Sequence, residues 1–243
     1  MHLLIDNSNT RTKFALASGN SIAEWRAVIP TAELSTQTIS EALSDITFEK
    51  ATICSVVPKA AELLEEALGV PSHRISCHSE MPIRIDYPKP EQIGADRLAN
   101  TVAAIAQFGG PSIVIDFGTA VTFDVANSEG DYLGGAIAPG TASLRDYLHR
   151  RTALLPAIQL SEPESAIGKS TEDAMQIGAV IGYRGLIREI LSSIKEELGG
   201  EPQIIATGGD AALISAGMPE IAHLCPDLTL QGILTIGLTN HQK

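Results

Sequence analysis

The chain has 243 residues, enough for one large or two modest domains and for a substantial core. Apolar residues make up 44% and charged residues 19%, too apolar for intrinsic disorder, and a formal net charge of −12 argues against broad nucleic-acid or anionic-membrane binding, which needs a basic face. Cys54, Cys77 and Cys225 lack CxxC spacing, so no disulfide framework or zinc site is expected. A reducing cytoplasm fits, MHLLID meets Asp6 too early for a secretory leader, and no apolar run nears membrane-spanning length.

The chain opens with a strand (2–6), a turn, a second strand (12–17) and a third around 25–29. Helical patterns follow near 36–43 and 59–68, with the apolar strand ATICSVV between them. A helix from Gly94 to Gln107 buries Leu98, Val102, Ala103 and Ile105 and stops at Gly109-Gly110. The second half repeats this order: SIVID, a turn, VTFDVA and DYLGGAIAP, then helices at 143–154 and 171–198, the strand QIIATGG, and a helix from Asp210. The simplest architecture is α/β, with two βββαβα-type halves, 1–110 and 111–243, facing each other across a cleft.

The repeat extends to the loops. IDNSNTRTKF in the first half and IDFGTAVTF in the second both run a strand into an Asp, turn on small polar residues and resume as a strand. Small turn residues let backbone N–H groups approach an anion, and Thr or Ser hydroxyls add donors without bulk. A carboxylate beside phosphate makes sense only with a cation nearby, so Asp6 and Asp116 imply one, and two such hairpins could hold the β- and γ-phosphates of ATP. A pair of purely structural Asp turns is the alternative. IIATGGD offers backbone against which a base or sugar could lie. GxxxxGK[ST] and GxGxxG are absent, and the DFG string lacks the other protein-kinase motifs.

Between the hairpins, YPKPEQIGADRLAN places Asp96 and Arg97 at a helix start. Asp96 is either an acid favoured by the helix dipole or the acceptor of a hydroxyl proton, and Arg97 suits an acidic substrate. In IGKST, Thr171 is a helix cap, a substrate donor or both. Gly178, Gly182 and Gly185 form a small-residue stripe for close helix approach, within the chain or between copies.

Taken together, DNSNT, GADR, DFGTAVTFD, LGGAIAPG, GKST and the late TGG resemble the type III pantothenate kinases over essentially the whole chain. The resemblance implies duplicated ribonuclease-H-like (actin-like ATPase) halves, each with a mixed sheet opening in three antiparallel strands, facing across a nucleotide cleft. The implied activity is ATP-dependent phosphorylation of pantothenate, the first step towards coenzyme A. Asp6, Asn7, Ser8, Asn9, Thr10, Arg11, Thr12, Lys13 and Thr119 would then bind ATP with Mg²⁺, and Asp116 a monovalent cation, K⁺ or NH₄⁺. Tyr87, Gly94, Ala95, Asp96, Arg97 and Thr171 would surround pantothenate, with Asp96 the catalytic base. A cytoplasmic homodimer is implied, with no nucleic-acid or membrane partner. One departure stands out: the family usually has glycine where Ser8 stands. A positive φ there would strain Ser8 by about a kcal/mol or more, and its Cβ would limit the backbone's approach to the anion, so that Ser8→Gly would tighten ATP binding. The rival readings are a non-catalytic relative assisting transcription through protein partners, and a kinase for another small alcohol.

Overall fold

The structure, a computed structural model, describes residues 1–241, with residues 144 and 145 described by their backbone alone. The strands are β1 (His2–Asn7), β2 (Arg11–Ser18), β3 (Ser21–Pro30), β4 (Lys50–Ser55), β5 (Ser72–Arg74), β6 (Ser112–Phe117), β7 (Ala120–Ala126), β8 (Tyr132–Pro139), β9 (Gln203–Thr207) and β10 (His223–Leu224). The helices are α1 (Thr36–Ala42), α2 (Pro58–Leu68), α3 (Ala95–Phe108), α4 (Thr141–Arg151), α5 (Thr171–Ile177), α6 (Tyr183–Leu198), α7 (Ala211–Ser215) and α8 (Leu228–Asn240). The duplication is written into the strand order: one sheet runs β3-β2-β1-β4-β5 and the other β8-β7-β6-β9-β10. β1 pairs antiparallel with β2 and parallel with β4, and β6 repeats this with β7 and β9. Each sheet has a short fifth strand, β5 or β10, that the sequence reading did not mark.

The chain packs as two compact units. One comprises 1–109, 130–133 and the segment from Asp227 onward; the other comprises 110–129 and 134–226. In the first unit, strand alternation sorts side chains onto two covered faces. Leu3 and Ile5 of β1, Phe14 and Leu16 of β2 and Ile53 of β4 pack with Ile39 of α1 and Leu64 of α2. Leu4, Ala15, Ala17 and Cys54 pack on the opposite face with Ala99 and Val102 of α3 and Ile233 and Leu234 of α8. Burial on both faces explains why β1 is buried along its whole length, each large apolar side chain contributing roughly 1.5–3 kcal/mol. The same alternation sends Asn7 and Thr12 to the α1/α2 face and Asp6 and Lys13 to the α3/α8 face.

Local signals set the helix ends. Ser35 caps α1 with a capping box to Thr38, and Gly69, left-handed at φ 64°, ends α2. The helix expected from Thr171 to Leu198 is not continuous: α5 and α6 are separated by a π-helical turn, Gly178–Gly182. Glycine at both ends of this turn weakens the α preference and tolerates the wider ring. The sequence reading stops at the helix after Asp210, and α8 is an addition. It lies against α3 so closely that a Cβ on Gly232 would meet the Ala99 carbonyl oxygen at 1.8 Å.

At the start of β1, buried His2 places Nε2 2.8 Å from Thr52 Oγ1, with its ring edge-on to His241 at a centroid distance of 5.2 Å. Burial first, then the charges of His241, Lys50 and the N-terminus, lower its pKa to about 3. The unfolded chain takes up this proton near the usual 6.5, so the stability contributed by neutral His2 is full above 6.5 and is lost as pH falls from there towards 3. His2→Gln should therefore flatten the dependence of unfolding free energy on pH across that window. Parallel pH profiles for both proteins in denaturant titrations would contradict the assignment.

Candidate active site

The β1–β2 turn is held from both sheet faces. On the α3/α8 face, Asp6 is buried and accepts a 3.0 Å ion pair from Lys13, its partner across the ladder. On the other face, Asn7 (1% exposed) and Thr12 (fully buried) bond to each other at 2.7 Å, and Asn7 also accepts from Ser55 at 2.6 Å. The side chains of Asn7 and Thr12 thus brace the turn from within, while Asn9, Thr10 and Arg11 are exposed.

Ser8 corrects an expectation. Among the described residues no non-glycine residue has a positive φ, so the strain argument fails. Its hydroxyl instead donates to the Arg11 carbonyl at 3.0 Å, and its N–H bonds the same oxygen at 3.0 Å. Serine closes the turn through its side chain, so a gain from Ser8→Gly would rest on the bulk of its Cβ alone.

Asp6 and Asp96 belong to one electrostatic group. The Asp96 carboxyl is raised above its ordinary value first by burial and further by the Asp6 charge, opposed by the Arg97 N–H, which bonds Asp96 Oδ1 at 2.9 Å, and by the Arg97 charge. Gly94 is what leaves room: a Cβ there would stand 2.5 Å from Asp96 Oδ1. Ala95 is buried at the first position of α3 and fixes its start on the core.

The Arg97 guanidinium lies over the Tyr132 ring, 5.8 Å from its centroid, and Tyr87 packs edge-on against the same ring at 6.3 Å. Tyr132 was read only as part of a strand, yet it is fully buried and joins the two expected substrate residues. Backbone bonds from Tyr132 N to Arg84 O and from Asp86 N to Tyr132 O, each 2.9 Å, hold it beside the segment leading to Tyr87.

In the second unit, Asp116 is the penultimate residue of β6, opposite Thr122 of β7 and Thr207 of β9. Gly208, at φ 96°, lies so near that a Cβ would fall 2.5 Å from Asp116 Oδ1 and 2.6 Å from Phe117 N. Gly140 is pressed on the β6–β7 turn in the same way, its N–H bonding Thr119 O at 3.2 Å. Thr141 donates to Asp210, and Tyr183 donates to Pro139 O at 3.3 Å, so the exposed turn bearing Thr119 sits among three fastened loops. Burial, then Asp210, raises the Tyr183 phenol and keeps it a donor. Among the described residues, no group of three or more His, Cys, Asp or Glu side chains is placed to hold a metal.

Thr171 is exposed at the first position of α5 and is not its cap. Ser170 Oγ accepts the Asp173 N–H, and Asp173 Oδ2 accepts the Ser170 N–H, both at 3.0 Å. The cap alternative for Thr171 falls away, and the residue is exposed.

The profile of the type III pantothenate kinase family matches residues 2–193. A type III pantothenate kinase of Akkermansia muciniphila is 54% identical over 232 residues, covering 96% of each chain, and one of Methylacidiphilum infernorum is 39% identical over 97% of this chain and 87% of its own. Among solved structures, a conserved Baf family protein from Campylobacter jejuni superposes with a TM-score of 0.66 at 19% identity, covering 99% of this chain and all of that one. A ROK family glucokinase from Streptomyces griseus gives 0.57 at 13% identity, covering 99% and 100%; at such identities these two likenesses speak for the fold. With two like-ordered sheets, a repeated Asp hairpin and a GADR helix start, the chain belongs to the type III pantothenate kinases.

Proposed function

We propose that the chain phosphorylates pantothenate with ATP, as family membership supports, and that the residues above divide the work. The observation carrying the assignment is the pairing of two carboxylates in unlike settings: Asp6 neutralised by Lys13, and Asp96 half-buried with its proton affinity raised. In the transfer, the pantothenate hydroxyl oxygen bonds to the γ-phosphorus, the bond to the β–γ bridging oxygen breaks, ADP leaves, and the hydroxyl proton passes to Asp96. In the first unit the β1–β2 turn would line the phosphates, and Arg97, steadied on Tyr132, would pair with the substrate carboxylate, with Tyr87 beside it; from the second unit Thr119 would contribute to ATP binding and Thr171 to pantothenate binding.

Asp116 fits a monovalent cation. It stands at the same ladder position in the second hairpin as Asp6 in the first, and its carboxylate oxygens are hard ligands suited to K⁺ or NH₄⁺. Such an ion would supply positive charge near the transferring phosphoryl group. Incubation with ATP, Mg²⁺ and pantothenate should give a product heavier by one phosphoryl group in mass spectrometry, at a rate that drops severalfold when Na⁺ replaces K⁺. Equal rates in the two salts would remove the monovalent site but leave the kinase assignment, which itself falls if no product forms.

The glycine stripe supports a homodimer. Gly178, Gly182 and Gly185 have open space where a Cβ would be, and exposed Ile181 lies among them. Gly182→Arg should shift sedimentation from dimer to monomer; an unchanged dimer would place the interface elsewhere.

A further inference from the structure

Behind the β1–β2 turn runs a chain of side-chain hydrogen bonds whose direction can be worked out. Ser55 Oγ donates to Asn7 Oδ1 at 2.6 Å, and Asn7 Nδ2 donates to Thr12 Oγ1 at 2.7 Å. Thr12 Oγ1 and Thr31 Oγ1 are 3.1 Å apart, and Thr31 Oγ1 donates to the Ser8 carbonyl at 2.7 Å. A hydroxyl has one hydrogen. Because Thr31 gives its own to Ser8, Thr12 must be the donor between the two threonines, and Thr12 can be, since it accepts from Asn7. Ser55 Oγ also lies 3.1 Å from the Val57 carbonyl oxygen, but the shorter 2.6 Å contact to Asn7 Oδ1 takes its one hydrogen and sets the amide, while the same oxygen accepts the Val57 N–H at 3.1 Å. The relay therefore has a single sense, from β4 to the turn.

Its terminus is what matters. In a trans peptide the C=O and the following N–H point in opposite directions. Holding the Ser8 carbonyl on Thr31 turns the Asn9 N–H the other way. Thr31 also binds the Thr10 carbonyl through its backbone N–H at 3.0 Å, so one residue draws two turn carbonyls to the same side. Without these bonds the Ser8–Asn9 peptide can rotate and present an oxygen, which repels a phosphate. Asn7 and Thr12 are too buried for water to replace the missing links.

We propose that Thr31 and Ser55 are positioning residues for the nucleotide phosphates, acting through the Asn7–Thr12 pair on the orientation of the Ser8–Asn9 peptide. This rests on reading the turn as the phosphate cradle. Neither residue need touch the ligand.

The test is Thr31→Val, which removes the hydroxyl at nearly constant shape, alongside Ser55→Ala and the conservative Thr31→Ser. Inhibition constants for ADP and for adenosine, Michaelis constants for ATP and pantothenate, and melting temperatures are measured for each. Thr31→Val should weaken ADP and raise the ATP Michaelis constant roughly tenfold, the scale of one buried hydrogen bond, while adenosine and pantothenate are unaffected. Ser55→Ala should show the same pattern at about threefold, the double variant should fall short of the product of the two, and Thr31→Ser should restore ADP binding. Equal weakening of ADP and adenosine, or a lower melting temperature with ADP binding intact, would mean that the relay only braces the fold. Should Thr31→Val fail to fold, Ser55→Ala decides on the same readouts. A wild-type protein that neither binds ADP nor makes product would overturn the cradle reading itself; an active wild type with indifferent variants would overturn only this proposal.

Discussion

Asp96→Asn should lower turnover roughly 100-fold or more while leaving ATP affinity nearly intact. A primary alcohol is too weak an acid to give its proton to a carboxylate in the ground state, so Asp96 orients the hydroxyl and takes the proton late, as bonding to phosphorus develops. Asparagine keeps the shape and one acceptor oxygen but removes the charge. Because burial raises the Asp96 pKa, the wild-type enzyme should lose kcat/KM on the acid side at a higher pH than an ordinary carboxylate would give, and the variant should lack that limb. Melting temperature should hold or rise, since the substitution removes a desolvated charge that faces Asp6. Arg97→Ala should instead raise the pantothenate Michaelis constant, because a carboxylate-pairing guanidinium holds ground and transition states alike. Near-wild-type turnover in Asp96→Asn, read by coupled ADP release, would place the proton acceptor elsewhere.

Gly232→Ala should have the largest effect on stability. The added Cβ would sit 1.8 Å from Ala99 O and 2.4 Å from Ala99 C, backbone atoms of α3 that no side-chain rotation can move aside. The helices must separate, loosening the contacts of Ile233 and Leu234 with Ala99 and Val102, and stretching the 2.7 Å bond from Thr229 to buried Asn100. Overpacking of this kind costs about 3 kcal/mol, which in a chain of this size lowers the melting temperature by roughly 6–12 °C. α3 carries Asp96 and Arg97 at its start, so turnover should fall as well. A melting temperature within a degree of wild type would show that the crossing yields more readily than the geometry allows.

Much of this arrangement is legible in the sequence, and what escapes has physical reasons. The two Asp hairpins can be read because strand, small-residue turn and strand are local signals, and α3 because Leu98, Val102 and Ala103 mark one face. α8 escapes because LTLQGILTIGLTN is apolar nearly all round: a helix buried on several sides shows no polar face for periodicity to find. The break at 178–182 escapes because side-chain spacing cannot distinguish an α turn from a π turn. Tyr132 could not be linked to Arg97 and Tyr87, since that contact depends on a single bridge between distant segments, Ile85 and Tyr132. The inward turn of Asn7 was available: strand alternation puts it on the face of Leu3 and Ile5. The strain that a positive φ would bring at Ser8 does not arise, because a hydroxyl closing on the Arg11 carbonyl meets the turn where relatives use glycine.

The path of the chain through its two units bears on synthesis. The sheet that carries Asp6 is complete early in translation, but the helix covering part of one face of that sheet, α8, begins only at Leu228. Until it leaves the ribosome, Leu4, Ala17 and Val102 lack their partners Ile233 and Leu234. The nascent first unit must therefore wait, with an apolar face exposed, while the whole second unit is made. Slow elongation across 134–226 should prolong its need for chaperones, and the last helix is the step that commits the first unit to its folded state.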